Sequence, residues 1–510
     1  MIKRALISVW NKDGLLDLAN FLNKNGIEII STGGTHKYLN DNNIPVTEIS
    51  EITGMDSVMN GRVKTLNPKI FGGILADRDN NNHLDDLNKI NGKTIDLIVV
   101  NLYPFVDEAV KKKLPMKKAI EYIDIGGPSM LRAAAKNYHS VCVLSDISDY
   151  LEFINEFDQE NKTINLGLRK VLASRVFFRT SQYDSNIYSY FNKDENFLKS
   201  DTQFLYLEKV QDLRYGENPH QKASFCVSSG ANLNWLKYQG KKLSYNNYLD
   251  IGSGYDIVNN FKEPSCSIIK HSNPCGFALG EDLLDAYKRA VSCDPVSYFG
   301  GIISFNGKVE EVLAKKLVEP FLECVIAPDY SKEALEVFKQ KDNLRVISSD
   351  YESLNNKYDI RTASGGYLLQ EKDFFSKDFS DYKIVTKKKP SRSEISGLVL
   401  GWKLVRFVKS NAIVIANSKQ ILGVGAGQMS RIDSAEIAIR KIKQFSLNLD
   451  KSIMASDAFF PFSDCIELAA KNGVKSIIQP GGSINDQENI NVADDLGISM
   501  VFTSSRHFYH

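Results

Sequence analysis

The chain has 510 residues, 43% apolar and 25% charged, with 63 Lys and Arg against 62 Asp and Glu. That composition belongs to a folded globular protein rather than a disordered one, and the lack of a basic excess argues against a general nucleic-acid binder. No apolar run reaches the roughly 18 residues of a membrane span, no signal peptide is expected, and seven scattered cysteines without a CxxC predict free thiols in a cytoplasmic protein, not a disulfide scaffold or a cysteine-rich zinc module.

In chain order, Arg4–Val9 is a predicted strand, and Lys12–Asn25 places Leu15, Leu16, Leu18, Phe21 and Leu22 on one helical face. Glu28–Ser31 is a second strand, with a helix beginning near Gly34. Asp96–Asn101 is almost wholly apolar, as a strand buried on both faces would be, and Ser140–Leu144 is another. Strands alternating with helices predict a parallel sheet covered on both sides. Residues 166–190 read as helix, and the polar stretch 192–203 places a domain boundary near 199. Beyond it, Ser267–His271, Gly301–Phe305, Ile413–Ala416, Ile421–Val424, Ser452–Ser456 and Ser476–Gln479 are predicted strands. Glu311–Leu317, Glu394–Val408, Asp433–Ile442 and Asp464–Asn472 are predicted helices. The lysine-rich run 387–394 is either a solvated loop or a separator between two subdomains.

Several segments have the residues of a chemical site. Strand one runs into Trp10-Asn11-Lys12-Asp13-Gly14 and strand two into Thr32-Gly33-Gly34-Thr35. Each puts backbone N–H groups at a helix start beyond a parallel strand, where phosphate is bound, although a plain turn has the same residues. Arg62 and Lys64 flank one residue, so an extended segment would put both cations on one face, whether solvated or liganded. Asp124 precedes a glycine pair opening a helix over 128–137 that carries Arg132 and Lys136. Asp124 and a lysine could exchange a proton, and a surface lysine favoured by the helix dipole is the other reading of Lys136. Lys270-His271 leaves an apolar strand into a Pro/Gly turn, a place for acid–base work or for a structural histidine. A zinc deaminase would need a second cysteine where Ala278 stands. Gly423–Gln428 lacks the spacing of a dinucleotide fingerprint and suits a hairpin turn better. Residues 213–220 and 456–462 are aromatic and charged, fit to stack a flat heterocycle or to fill a core.

In this order the segments SVWNKDG, STGGT, GRVKTL, NLYPF, IDIGGPSMLRAAAKN, LRYGENPHQ, KHSNPCG, GVGAGQMSR, SDAFFPF, QPGGS and the terminal RHFYH resemble the bifunctional AICAR transformylase/IMP cyclohydrolase family over essentially the whole chain. The resemblance implies an α/β fold with an N-terminal methylglyoxal-synthase-like parallel-sheet domain, the IMP cyclohydrolase, over 1–199. It implies a C-terminal AICAR transformylase domain over 200–510, a pair of cytidine-deaminase-like α/β subdomains split near 385. The implied reactions belong to purine biosynthesis. A formyl group passes from the cosubstrate 10-formyltetrahydrofolate to the 5-amino group of AICAR, and the product FAICAR closes to IMP with loss of water. A homodimer with transformylase sites between subunits and no catalytic metal is implied as well.

Carried over residue by residue, the cyclohydrolase nucleotide pocket is Trp10, Asn11 and Lys12, then Thr32, Gly33, Gly34 and Thr35, then Arg62, Val63 and Thr65, with Asn101 and Ile125. Lys64, Tyr103, Asp124 and Lys136 match its catalytic groups. In the transformylase, Lys270 and His271 match the catalytic pair, with Asn411 as a donor to the oxyanion. Arg214, Tyr215, Gly300 and Glu323, then Arg431, Ile432, Phe459 and Asp464, and last Ser483, Ile484, Arg506 and Phe508, fall where the family lines AICAR or folate. Three residues depart from the family: Asn67 stands at a usual histidine, Trp10 at a usual serine, Tyr509 at a usual basic residue. Slower or differently tuned cyclisation is the expectation. A nucleotide-sensing N-terminal module is the rival reading, opposed by the retained Lys64, Asp124 and Lys136.

Overall fold

The computed structural model describes residues 1–192, 197–228, 235–350, 358–374 and 378–510. They fall into two units, Met1–Phe204 and Leu205–His510. Residues 193–196 of the polar stretch expected to hold the boundary lie outside the described residues.

The first unit is built on β-branched, fully apolar runs that suit strands buried on both faces. Strands β1 (Arg4–Val9), β2 (Glu28–Ser31), β3 (Thr47–Glu48), β4 (Leu97–Asn101) and β5 (Cys142–Leu144) form a sheet in the order β3-β2-β1-β4-β5. Every pairing is parallel. The helix Leu15–Lys24 buries Leu15, Leu18, Ala19 and Leu22, the apolar stripe that its spacing predicts. The chain moves to one side of β1 for β2 and to the other for β4. The carboxyl ends of β1 and β4 therefore flank a switch point, the place where open parallel sheets bind ligands. Two helices begin at this edge, Gly33–Asp41 and Gly126–Lys136.

The second unit holds two six-stranded sheets. In the first, β8 (Trp235–Gln239), β9 (Ser265–Lys270), β10 (Asn273–Leu279), β11 (Ile302–Phe305), β12 (Cys324–Ala327) and β13 (Arg345–Ser349) take the order β10-β9-β11-β12-β13-β8. In the second, β16 (Lys383–Ile384), β17 (Ile413–Ala416), β18 (Ile421–Gly425), β19 (Ile453–Ser456), β20 (Ser476–Gln479) and β21 (Ser499–Phe502) take the order β16-β21-β20-β19-β17-β18. The hairpins β6 (Leu207–Asp212) with β7 (Ser224–Ser228) and β14 (Tyr358–Ala363) with β15 (Gly366–Glu371) stand apart from both sheets. One buried core spans the two sheets and their helices: Ile269 of β9 and Val414 of β17 belong to it, with Ile251 and Tyr255 of the helix Tyr245–Val258 and Leu398 and Trp402 of the helix Arg392–Val405. Ala278 of edge strand β10 also forms an antiparallel bridge with Gln420, the residue before edge strand β18.

Two local expectations need correction. Lys270-His271 does not leave the sheet into a Pro/Gly turn: His271 and Ser272 are the turn, and Pro274 lies inside β10. A proline fits there because β10 is an edge strand and the pairing is irregular between Pro274 and Gly276. The glycine cluster 423–427 is not a hairpin turn either, since the β17–β18 connection is 417–420. Gly423 and Gly425 lie within β18, where added Cβ atoms would come within 2.4 Å of the Ala438 carbonyl and 1.9 Å of the Ser434 carbonyl. They are glycines because the helix Arg431–Gln444 packs directly on that strand. The lysine-rich run, finally, ends inside a helix: Ser391 and Glu394 form a reciprocal capping box that starts Arg392–Val405.

Two candidate active sites

In the first unit a cavity of about 1110 Å³ opens beyond the ends of β1 and β4. It is lined by Trp10, Lys12, Thr32, Gly34, Thr35, Arg62, Lys64, Thr65, Asn101, Tyr103, Asp124 and Ile125. The backbone supports this wall at several points. Asn101 Oδ1 accepts the Trp10 and Asn11 N–H groups at 2.5 and 3.0 Å, and its Nδ2 donates to the Asn11 carbonyl at 2.9 Å. Asn11 therefore shapes the rim without lining it. Thr35 Oγ1 accepts the Val9 N–H at 3.1 Å and donates to the Val9 carbonyl at 2.9 Å. Gly33, with φ of 53°, leaves only 3.1 Å between a would-be Cβ and Lys64 Nζ. A side chain there would displace the lysine.

Arg62 and Lys64 are brought together by a different route from the one their spacing predicts. Val58 and Val63 bridge across the turn Met59–Gly61, and Arg62 has helical dihedrals, not extended ones. Arg62 meets Glu121 at 2.5 Å. Val63 is taken up by the bridge and stays outside the cavity lining.

Asp124 is the most constrained group. Its Oδ1 accepts the Gly127 N–H at 2.8 Å, and its own N–H donates to Tyr183 Oη at 2.8 Å. A Cβ on Gly127 would stand 2.3 Å from Asp124 Oδ2, so this glycine is what allows the carboxylate its place. Burial raises the Asp124 pKa above the usual carboxylate range, opposed by the Gly127 N–H, by Lys64 and by the Tyr103 backbone. Burial, then Asp124, raises the Tyr103 phenol. Burial lowers Lys12, whose Nζ donates to the Val9 and Trp10 carbonyls at 2.6 and 2.9 Å. Trp10 lies edge-on to Tyr103, with ring centroids 4.9 Å apart. Asn67 caps the helix Pro68–Leu75 and accepts the Lys69 N–H at 2.9 Å.

Lys136 is not brought to this cavity. It is exposed in the last turn of Gly126–Lys136, and ten residues of helix rise about 15 Å from the end that faces Asp124. Lys64 is the lysine beside Asp124.

In the second unit, Lys270 ends β9 and His271 opens the turn to β10. Lys270 Nζ donates to the Phe299 carbonyl at 2.7 Å. Gly300, at φ 67°, leaves 3.3 Å between a would-be Cβ and that Nζ. Lys270 also borders a cavity of about 240 Å³ with Asn273, Cys275, Asp294 and Lys441. Asp294 and Lys441 pair there at 2.7 Å. Burial pushes the Cys275 thiol up to about 12, so it is neutral and a poor nucleophile. Among the described residues, no three His, Cys, Asp or Glu side chains are grouped to hold a metal ion.

A buried polar network lies close by in the chain's connectivity. Arg431 is paired with Asp457 and donates to Ser456 Oγ at 3.0 Å and Asn411 Oδ1 at 2.8 Å. Asn411 spends its Nδ2 hydrogens on the Gln428 and Met429 carbonyls at 3.0 and 3.1 Å. In this arrangement its donors hold the 428–431 segment and do not point to an oxyanion. Lys409 connects the network to the His271 turn, donating its N–H to Asn273 Oδ1 at 3.0 Å. It also lies over the Tyr509 ring at 3.8 Å, which gives that aromatic residue a local use. Sequence reasoning missed Asp457, although it lies within SDAFFPF, because nothing in spacing shows a carboxylate buried against an arginine 26 residues away.

Several of the remaining expected ligand residues lie on segments tied to this network: the His507 N–H, between Arg506 and Phe508, donates to the Asp457 carbonyl at 2.9 Å, and Asn485 Nδ2, beside Ile484, donates to the Pro461 carbonyl at 2.7 Å. Arg214 stacks over Tyr215 at 5.3 Å in the β6–β7 connection. Glu323 is paired with Arg345. Ile432 follows Arg431 in its helix, and Asp464 begins the helix Asp464–Lys471. Arg506 stacks over Phe508 at 4.7 Å. Ser483 Oγ accepts the Asn485 N–H at 3.2 Å, while Ile484, Phe459 and Phe508 are exposed. Of all these, none lines the 240 Å³ cavity.

Comparison with known proteins adds the following. A family model described as "AICARFT/IMPCHase bienzyme" matches residues 134–441, and one described as an MGS-like domain matches 14–129. The chain is 47% identical over 515 residues to the bifunctional purine biosynthesis protein PurH of Clostridium acetobutylicum, covering 100% of both chains. It is 49% identical over 513 residues to PurH of Fusobacterium nucleatum, again over 100% of both. PurH of Caldicellulosiruptor saccharolyticus is 47% identical over 522 residues, with the same coverage.

Proposed function

The chain belongs to the AICARFT/IMPCHase bienzyme family, and from that premise we propose how its two activities, AICAR transformylation and IMP cyclohydrolysis, divide over the molecule. Cyclisation of FAICAR belongs to the first unit and formyl transfer to the second. The observation that supports the first assignment is the cavity beyond β1 and β4, where Lys12, Arg62, Lys64 and two helix N-termini offer positive charge to a nucleotide phosphate.

In the cyclisation, the carboxamide nitrogen of FAICAR attacks its own formyl carbon, a hydroxyl forms, and water leaves. The reaction is intramolecular, so holding the two groups in contact is a large part of the catalysis. Asp124, with its raised pKa, takes the nitrogen proton, and Lys64 balances the charge beside it. N–H groups at the start of Gly126–Lys136 offer stabilisation to the developing oxyanion.

In formyl transfer, the AICAR 5-amine attacks the formyl carbon of 10-formyltetrahydrofolate. His271 removes the amine proton, the C–N bond to folate N10 breaks, and Lys270 supplies or relays a proton to N10. Base catalysis of this kind contributes roughly 10²–10⁴-fold. The exposed apolar side chains of Ile484, Phe459 and Phe508, at positions assigned to ligand, favour a site completed by a second subunit of a homodimer. No helix among the described residues is long and apolar enough to cross a membrane.

The test supplies AICAR and 10-formyltetrahydrofolate and follows FAICAR and IMP separately. His271→Ala is expected to abolish formyl transfer and leave cyclisation of added FAICAR intact. Lys64→Ala is expected to do the reverse, with cyclisation falling by about 10²-fold or more. Equal loss of both activities in either folded variant contradicts the division.

A further inference from the structure

The turn that carries His271 holds two consecutive non-glycine residues in left-handed backbone. His271 and Ser272 have φ of 54° and 59°, the left-handed region that two-residue hairpin turns require and that Gly, Asn and Asp fill most readily. A conformation of this kind persists when the surroundings over-determine it. Asn273, on one side, donates from Nδ2 to the His271 carbonyl at 3.0 Å. On the other side stands Asp250, on the helix Tyr245–Val258. Its Oδ1 accepts the Ser272 N–H at 2.7 Å and the Ser272 hydroxyl at 3.2 Å.

Asp250 is a costly residue to place there. It is largely withdrawn from water, and burial raises its pKa. The leading groups that favour its charged form belong to residues 271 and 272: the Ser272 N–H and hydroxyl, the His271 imidazole and the His271 N–H. Both hydrogen bonds of this half-buried carboxylate among the described residues go to that two-residue turn, as a group placed to hold the turn would make them.

We propose that Asp250 is a positioning residue for formyl transfer, clasping the left-handed His271-Ser272 pair so that the imidazole is held beside Lys270. The proposal rests on His271 being the base and adds the group that fixes its place. Asp250 does not touch substrate. A misplacement of about 1 Å in a reacting group costs on the order of 10²-fold in rate, and this is the size of effect expected when the clasp is removed.

The experiment uses the full chain with Asp250→Ala, Asp250→Asn and the double variant Asp250→Ala/Ser272→Gly. Formyl-transfer kcat and the KM for AICAR are measured, with cyclisation of added FAICAR as the control on folding. Asp250→Ala is expected to lower kcat about 10²-fold, with KM within roughly 3-fold and cyclisation unchanged. Asp250→Asn keeps the Oδ1 acceptor and is expected to recover to within about 5-fold of the parent. Ser272→Gly, which takes positive φ without a clasp, is expected to restore part of the activity lost in Asp250→Ala. An unchanged kcat in Asp250→Ala overturns the proposal, and so does an Asp250→Asn variant as impaired as Asp250→Ala. If His271→Ala itself retains formyl transfer, the reading of His271 as base fails instead, whatever Asp250 does.

Discussion

At the scale of single residues, the positions expected to depart from the family have local structural uses. Asn67 cannot act as an imidazole, but it is a strong helix cap that satisfies the Lys69 N–H. Trp10 stacks edge-on against Tyr103 at the cavity wall. The chain has 3 tryptophans, and the other two, Trp235 and Trp402, lie in the second unit. IMP binding in the first-unit cavity is therefore expected to change tryptophan fluorescence, and Trp10→Phe to remove that change. Titration of both proteins with IMP is the check. Asp124 gives a pH prediction of definite sign. Burial raises its pKa, so as pH falls its carboxylate is protonated sooner than an ordinary aspartate. The acid limb of the cyclisation profile is expected at a higher pH than the usual carboxylate value of about 3.9. Asp124→Asn is expected to flatten that limb at a rate lowered by roughly 10²-fold, measured as cyclisation rate against pH.

At the scale of elements, the glycines of β18 show packing taking precedence over turn chemistry. A Cβ on Gly425 would stand 1.9 Å from the Ser434 carbonyl, a backbone atom of the helix Arg431–Gln444 that cannot rotate away. Overpacking of this kind typically costs about 1–3 kcal/mol. The same helix begins with Arg431, whose guanidinium joins Asn411 and Asp457. Gly425→Ala is thus expected to lower the urea midpoint of the second unit and to impair formyl transfer, with cyclisation retained. Parallel denaturation and half-reaction assays are the check. The β9–β10 turn follows the same logic: its geometry is set by the register of an edge strand and by Asp250, not by the Pro and Gly that follow it.

At the scale of the whole molecule, the two proposed sites differ in how complete one chain makes them. The first-unit cavity is lined from a single sheet edge, with its charged groups within one unit. In the second unit the expected ligand positions Ile484, Phe459 and Phe508 are exposed, Ile484 fully so. If the proposed homodimer completes the second site, dilution to monomer is expected to lower specific formyl transfer well before cyclisation. Activity measured alongside sedimentation tests this, and constant formyl transfer in a monomeric sample contradicts a shared site.

The sequence by itself determined the α/β alternation, the buried parallel strands of the first unit and the glycine-bearing helix starts that follow Thr32 and Asp124. These follow from local composition: unbroken apolar runs, helical stripes and glycines at helix starts are properties of neighbouring residues. Tertiary structure alone decided the rest. It placed Arg62 beside Lys64 through a turn and a bridge rather than an extended segment. It put Lys136 at the wrong end of its helix to reach Asp124, engaged the Asn411 amide with Gln428 and Met429, and brought Asp250 onto a turn 21 residues away. The last two depend on contacts between segments far apart in the chain, whose geometry is set by sheet order and helix packing and leaves no periodic signal in sequence, whereas the first two follow from a local turn and from the length of one helix.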